Sequence, residues 1–312
     1  MLRKYLPSVI DNSRMDGVEV VIADNGSTDD SVEMLRRDFP SVGLILLERN
    51  YGFAEGYNRA LSEIDSEYYL LLNSDVEIRQ KDWIRPMLDF MDSHPQTGAC
   101  QPKLLSLTRP EFFEYAGAAG GFIDLFGYPY CRGRILDKVE KDEGQYDDIV
   151  PLLWATGAAL LVRAEDFWFA DGLDGRFFAH MEEIDLCWRM RSLGRQVVCI
   201  PQSTAYHLGG ATLNQGNPRK TFLNFRNNLL MLYKNLTSDQ LWWIMTVRFF
   251  LDLAASLKFL LTGDPANAKA VLKAMRAFWS LIPEFREDRR LNLSRRTAGR
   301  IPEHTNRMIL FH

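Results

Sequence analysis

The sequence predicts an α/β protein, a mostly parallel sheet flanked by helices with a helical C-terminal extension, on three observations. Apolar, β-branched runs at residues 18–23, 42–47 and 68–72 alternate with amphipathic helical patterns, which indicates parallel βαβ units. Each run stops at polar and glycine residues, so these gather at the sheet edge where open α/β sheets bind ligands. From Phe222 to about Phe278 the pattern is helical.

In chain order, Leu2, Tyr5, Leu6, Val9 and Ile10 have helical spacing, so the first strand comes only at residues 18–23. That strand ends in Asp24-Asn25-Gly26-Ser27-Thr28-Asp29 before a helix over 31–39. The strand over 42–47 ends in Glu48-Arg49-Asn50-Tyr51-Gly52-Phe53 before a helix over 54–64. Residues 68–72 are apolar throughout, which predicts a strand buried on both faces, and they break into Asn73, Ser74 and Asp75. A lone carboxylate there is equally explained by an Asx turn or a helix N-cap. The repetition of polar strand ends favours a site.

A helix over 81–93 and a strand over 98–105 follow. In residues 115–134 Gly117, Gly120, Gly121, Gly127 and Gly133 interleave with aromatic side chains, which predicts a long loop that covers a ligand. Residues 152–162 read as another buried strand, with Gly157 marking a close approach. Glu182, Glu183 and Asp185 crowd the start of the next helix. Acidic residues in a first turn complement the helix dipole. Three within four residues exceed that need, and like charges raise one another's pKa, which is one route to a general base. A strand at 197–200 leads on to His207, which alone reads as structural more readily than as a ligand.

At 312 residues, 46% hydrophobic and 25% charged, the chain suits one large α/β domain with appendages. A net charge of -4 argues against a nucleic-acid binder that works by neutralising phosphates. Cys100, Cys131, Cys187 and Cys199 form no CxxC pair, which predicts a reduced compartment and no thiolate metal site. The N-terminus is too short and polar for a signal peptide, so the expected location is cytoplasmic. Residues 241–261 are long enough to span a bilayer, but Arg248, Asp252 and Lys258 interrupt them. Arg248 and Asp252, four apart, are placed to pair on one face. Three readings stand: a span, a helix in the membrane plane, and a helix packed on its own domain or on a partner subunit, as in a homodimer.

Taken in order, Asp24 to Asp29, then Asn50-Tyr51-Gly52-Phe53-Ala54-Glu55-Gly56-Tyr57-Asn58, Leu72-Asn73-Ser74-Asp75, Gly157-Ala158, Glu182 to Arg189, and His207 resemble the motif series of family-2 glycosyltransferases. The series covers about residues 2–235, with 236–312 as the helical extension. The resemblance, which is rhamnosyltransferase-like, implies a GT-A fold with a Rossmann-like mixed, mostly parallel sheet. It also implies a dTDP- or UDP-linked sugar donor, a divalent metal (Mn or Mg), and inverting transfer to a polysaccharide or lipid-linked glycan at the inner face of the cell membrane.

Carried over by motif, Asp24 contacts the donor nucleoside, and Gly26 and Ser27 shape its loop. Asn50, Gly52, Phe53, Gly56 and Asn58 line the nucleotide pocket, with Asn73 and Gly157 beside the donor. Asp75 and His207 hold the metal. Glu183 takes the place of the base, with Asp185 and Glu182 as alternatives. Two departures stand out: Asn73 replaces the first carboxylate of the family's Asp-x-Asp motif, and the chain lacks the family's first, central strand. The latter leads us to expect a truncated chain or a start codon misplaced at Met1. A non-catalytic nucleotide-sugar binding or scaffold protein is the alternative reading. A nucleotidyltransferase would carry a basic glycine-rich loop after its first strand, and none is visible.

Overall fold

In the computed structural model, which describes residues 1–209 and 216–297, helix α1 (Leu2–Asn12) turns Tyr5, Leu6 and Val9 inward. Part of the expected helical extension, residues 298–312, lies outside the described residues. Strand β1 (Val21–Asp24), helix α2 (Ser31–Asp38), strand β2 (Gly43–Leu46) and helix α3 (Gly52–Leu61) follow. β1 and β2 pair in parallel from Val21 opposite Gly43 to Asp24 opposite Leu46, as a βαβ unit requires.

Strand β3 (Tyr68–Leu72) does not continue that sheet. It belongs to a five-stranded sheet with β4 (Val76–Glu77), β5 (Thr97–Ser106), β10 (Ala159–Arg163) and β11 (Gln196–His207), in the order β3-β10-β5-β11-β4. β5 and β11 run parallel and the other neighbours antiparallel, so this sheet is mixed. Among the described residues β1 pairs only with β2 and β3 only with β10. The sheet is thus in two pieces, split where the family pattern places its first strand.

Two helices hold the pieces together. Leu6 of α1 packs with Met34 and Leu35 of the small unit, while Val9, in the same helix, packs with Val76, Ile78 and Trp83 of the large one. The Asn12 carboxamide donates to the Ile78 carbonyl at 2.9 Å. On α3, Gly52 accepts at its carbonyl from Asn25 just after β1, and the Tyr57 hydroxyl donates to the Leu72 carbonyl at the end of β3.

The split explains a difference in β3. Its five apolar residues suggest burial on both faces, but burial alternates: Tyr69 and Leu71 are buried, while Tyr68, Leu70 and Leu72 are half-buried. With a hydrogen-bonded neighbour on one side only, β3 is an edge strand.

The glycine-aromatic stretch also differs from its expected form. It is not a long loop: β6 (Gly121–Ile123) and β7 (Pro129–Cys131) start a four-stranded antiparallel meander completed by β8 (Arg134–Ile135) and β9 (Lys138–Val139). The Trp154 ring lies where a Cβ on Gly121 would fall, 1.9 Å from its nearest atom, so only glycine admits the indole against this backbone. The remaining helices are α4 (Arg85–Ser93), α5 (Ala164–Phe169), α6 (Glu182–Ser192), α7 (Pro218–Asn235), α8 (Ser238–Leu261), α9 (Pro265–Leu281) and α10 (Arg286–Ser294). Ser256 of α8 donates to the Ala268 carbonyl of α9, and Tyr233 of α7 meets Phe278 of α9 edge-on.

Candidate active site

Asn73, Ser74 and Asp75 occupy the turn between β3 and β4, and His207 ends β11. The antiparallel pairing of His207 with Val76 brings the imidazole beside Asp75. His207 Nε2 lies 3.1 Å from Asp75 Oδ1 and 3.3 Å from the Asn73 carboxamide nitrogen, while Nδ1 lies 3.3 Å from Glu114 Oε1. All three titratable groups are buried. Burial alone would depress the imidazole, but the Asp75 and Glu114 carboxylates raise its pKa to about 9. Burial would raise Asp75; the hydrogen bond and charge of His207 outweigh it and hold that carboxyl below its usual range.

The second cluster starts in a strained approach to α6. Phe178, His180 and Met181 all have positive φ, at 66°, 72° and 74°, a region that costs side-chain-bearing residues energy and is often found at functional sites. Two neighbours on α7 hold this segment: the Asn227 carboxamide donates to the carbonyls of Phe177, Ala179 and His180 at 2.8–2.9 Å, and the Arg226 guanidinium donates to that of Phe177 at 3.1 Å. Glu183 follows, half-buried, with Oε2 unpartnered. Burial raises its pKa to about 7. Glu182 is pushed well above the carboxylate range, by burial first and by the charge of Glu183 second.

The two clusters share one edge. The Asn73 N–H donates to the Ala158 carbonyl at 3.0 Å, and a Cβ on the adjacent Gly157 would meet the Phe53 ring at 3.2 Å and Glu183 Cβ at 3.6 Å. The Phe53 N–H donates to the Phe178 carbonyl, and Gly52, at φ 83°, lies against the Phe178 ring. Asn25 ties in the β1 end: it accepts from the Tyr51 N–H and donates to the Gly52 carbonyl, and a Cβ on Gly56 would strike its amide nitrogen. Asp24 Oδ2 accepts from the Ser27 N–H, and Gly26, at φ 72°, would strike the Arg49 backbone if it carried a Cβ. The Asn50 carboxamide oxygen accepts from the Gly52 N–H.

Two residues expected at this site have their polar atoms engaged by other partners. Asn58 both donates to the Leu173 carbonyl and accepts from the Leu173 N–H, so its amide clamps α3 to a distant loop. Asp185 is fully buried, paired with Arg189 at 2.9 Å and Lys234 at 2.8 Å, and accepts from Asn235. Burial would raise its pKa, but the Lys234 and Arg189 charges outweigh it and hold the carboxyl below its usual range.

Other members were not visible in the sequence. Glu114 backs His207 from a stretch with no motif, and Asn227 looked like one more polar position on a helix. His180 is held neutral, at a pKa of about 4, by burial and by the nearby Lys220 charge. The Arg219 guanidinium lies 5.0 Å from the centre of the Phe178 ring, so α7 brings two cations to the site. Only the spacing Arg219-Lys220 just after Pro218 at a helix start hinted at that.

Residues 1–116 match the protein-family model described as glycosyl transferase family 2. Over these residues the chain is similar to that family. An N-acetylglucosaminyl-diphospho-decaprenol L-rhamnosyltransferase from Mycobacterium tuberculosis is 26% identical over 213 residues, 61% of this chain and 66% of that protein. Rhamnosyltransferase WbbL of Escherichia coli K12 is 26% identical over 167 residues, 50% of this chain and 61% of that protein. The chain thus spans somewhat less than two thirds of the length of these curated relatives. Among solved structures, GalNAc-T7 with UDP, GalNAc and Mn2+ superposes with a TM-score of 0.59 at 14% identity, over 91% of this chain and 55% of that one. This likeness establishes the GT-A fold.

The donor set at Asp75 and His207 fits a divalent cation. A hard carboxylate oxygen and an imidazole nitrogen converge in a buried place where the His207 proton now offsets two carboxylates. Among the described residues no group of three or more His, Cys, Asp and Glu is arranged to hold a metal alone. Phosphate oxygens and water would therefore complete the shell.

Proposed function

We propose that this protein transfers a sugar, with inversion, from a dTDP- or UDP-linked donor to a hydroxyl of a polysaccharide or lipid-linked glycan. The observation that carries the reading is Glu183: a carboxylate of pKa about 7, unpartnered at one oxygen, beside Gly157 on the edge that also bears Asp75 and His207. The relatives named as rhamnosyltransferases support the reaction class and favour rhamnose as the sugar. Decaprenol diphosphate in one relative's name favours a lipid-linked acceptor.

In this reading the loop of Asp24, Gly26 and Ser27 holds the nucleoside, and Asn50, Gly52, Phe53 and Gly56 form the wall beside it. Asn73 and Gly157 border the sugar. Asp75 and His207 would hold a divalent cation, Mn or Mg, which when bound supplies positive charge to the diphosphate leaving group. Arg219 and Lys220 add charge from α7. Glu183 accepts the proton of the acceptor hydroxyl as its oxygen bonds to the anomeric carbon. The bond from that carbon to the diphosphate breaks, and the diphosphate keeps the electron pair. Glu182, whose carboxyl is pushed well above its usual range by burial and then by the Glu183 charge, keeps a second negative charge away from this step.

Transfer assays with a panel of nucleotide sugars test the proposal. Turnover with one donor, and its loss in Glu183→Gln, is the expected result; full activity in that variant would remove Glu183 from the mechanism. The split sheet and Asn73 favour a second reading, a non-catalytic nucleotide-sugar binding protein. Calorimetry with UDP and dTDP separates the two, since binding with no dependence on manganese and no turnover fits only the second.

A further inference from the structure

Helix α8 is built inside out. Arg248, Asp252 and Ser256 face the protein and are buried at 1%, 0% and 3% exposure, while Trp242, Phe249, Phe250, Leu253, Leu257 and Leu261 face outward. Buried hydrogen bonds fix the roll of the helix. The Arg248 guanidinium donates to Asp252 at 3.3 Å and to the Phe126 carbonyl at 3.2 Å, the Tyr128 hydroxyl donates to Asp252 at 3.2 Å, and Ser256 donates to the Ala268 carbonyl. Turning the apolar stripe inward would break all of them. From Phe249 to Leu261 the stripe repeats every three to four residues, on a helix of 24 residues, about 36 Å long.

Charge identifies what covers it. The next helix, α9, contains no acidic residue and turns Lys269, Lys273 and Arg276 outward, together with Leu272 and Trp279. Lys258 adds a cation on α8, and Asp264 in the connecting turn is the sole carboxylate between Asp252 and Leu281. The two helices form a hairpin, so Trp279 stands at the end that carries Trp242 and Trp243. Aromatic rings beside cations on an outward apolar face match the headgroup region of a bilayer. A second copy docked by a two-fold axis would bring like charges together. Among the described residues no helix is long and apolar enough to cross a membrane, so contact is along the surface.

We infer that the outward faces of α8 and α9 bind an anionic lipid bilayer surface, with α8 lying in the interfacial plane. The inference is independent of the sugar transferred, since vesicle binding is read without turnover.

Co-sedimentation of the full chain with vesicles of equal parts phosphatidylglycerol and phosphatidylcholine tests it, alongside pure phosphatidylcholine vesicles. The expected result is binding to the mixed vesicles with a blue shift of tryptophan emission, and at least about tenfold weaker binding to the neutral ones. Phe250→Ser with Leu257→Ser, and separately Lys269→Glu with Lys273→Glu, should each weaken binding by about tenfold or more while circular dichroism stays unchanged. No binding to either vesicle overturns the inference, as does equal binding to both. So does a concentration-dependent dimer in sedimentation velocity, without lipid, that Phe250→Ser abolishes, because the stripe is then a contact between copies.

Discussion

Adjacent carboxylates at the start of α6 have opposite fates, and the environment of each decides it. Glu183 titrates near 7 because it is desolvated yet keeps an unpartnered oxygen. A base must be ionised, so kcat/KM is expected to fall about tenfold per pH unit below roughly 7, with that limb absent from the residual rate of Glu183→Gln; a pH–rate profile of both proteins is the check. Two residues away, Asp185 is tied to Arg189 and Lys234. Removing it in Asp185→Ala leaves the buried Arg189 without a carboxylate and Lys234 with Asp174 alone, and should cost about 3–5 kcal/mol in a denaturant titration. Its folded pKa is depressed, so the stability it contributes is complete above about pH 4 and is lost as pH falls through the lowered value. Glu114 acts through His207. Glu114→Gln is expected to weaken manganese binding about 10- to 100-fold by calorimetry, without removing either proposed ligand.

At the scale of elements, the strained segment before α6 depends chiefly on one residue of α7, Asn227, with Arg226 beside it. Asn227→Leu leaves the Ala179 and His180 carbonyls without this donor and Phe177 with Arg226 alone, and should lower stability by about 1–3 kcal/mol, with a fall in kcat larger than the change in KM, because Glu183 loses its placement. Equal loss in both constants would make Asn227 merely structural. This element also shows what the sequence could and could not reveal. The acidic cluster at 182–185 was legible because its density exceeded what a helix start needs. Asn227 and Asn58 were not, since a carboxamide reads alike whether it meets a ligand or a backbone carbonyl 115 residues away. Strand ends at Asp24 and Asp75 were legible from abrupt polarity changes. The meander from Gly121 was mistaken for a loop because its glycines answer to Trp154, a partner that sequence spacing does not expose.

For the whole molecule, the α/β class and its ligand edge follow from local pattern, whereas strand pairing depends on distant partners. The antiparallel match of β10 to β3 had no local signal. The break in the sheet was the exception: an opening helix at Leu2–Asn12, where a strand was expected, pointed to it, and among the described residues the sheet is in two pieces. The small piece rests on hydrophobic contacts through α1 and a few hydrogen bonds through α3. Its amides at 21–24 and 43–46 are therefore expected to exchange with deuterium well before those of the β5 and β11 core, as a separate opening unit; equal protection would show that the pieces open together.

That division runs through the proposed donor site. Asp24 rides on one piece, and Asp75, His207 and Glu183 ride on the other, so the site is a clasp with its jaws on separate bodies. A nucleotide held by both jaws would act as the pin: its binding energy would go partly into locking the bodies together, and the slow-exchanging core would extend into β1 whenever the donor is present.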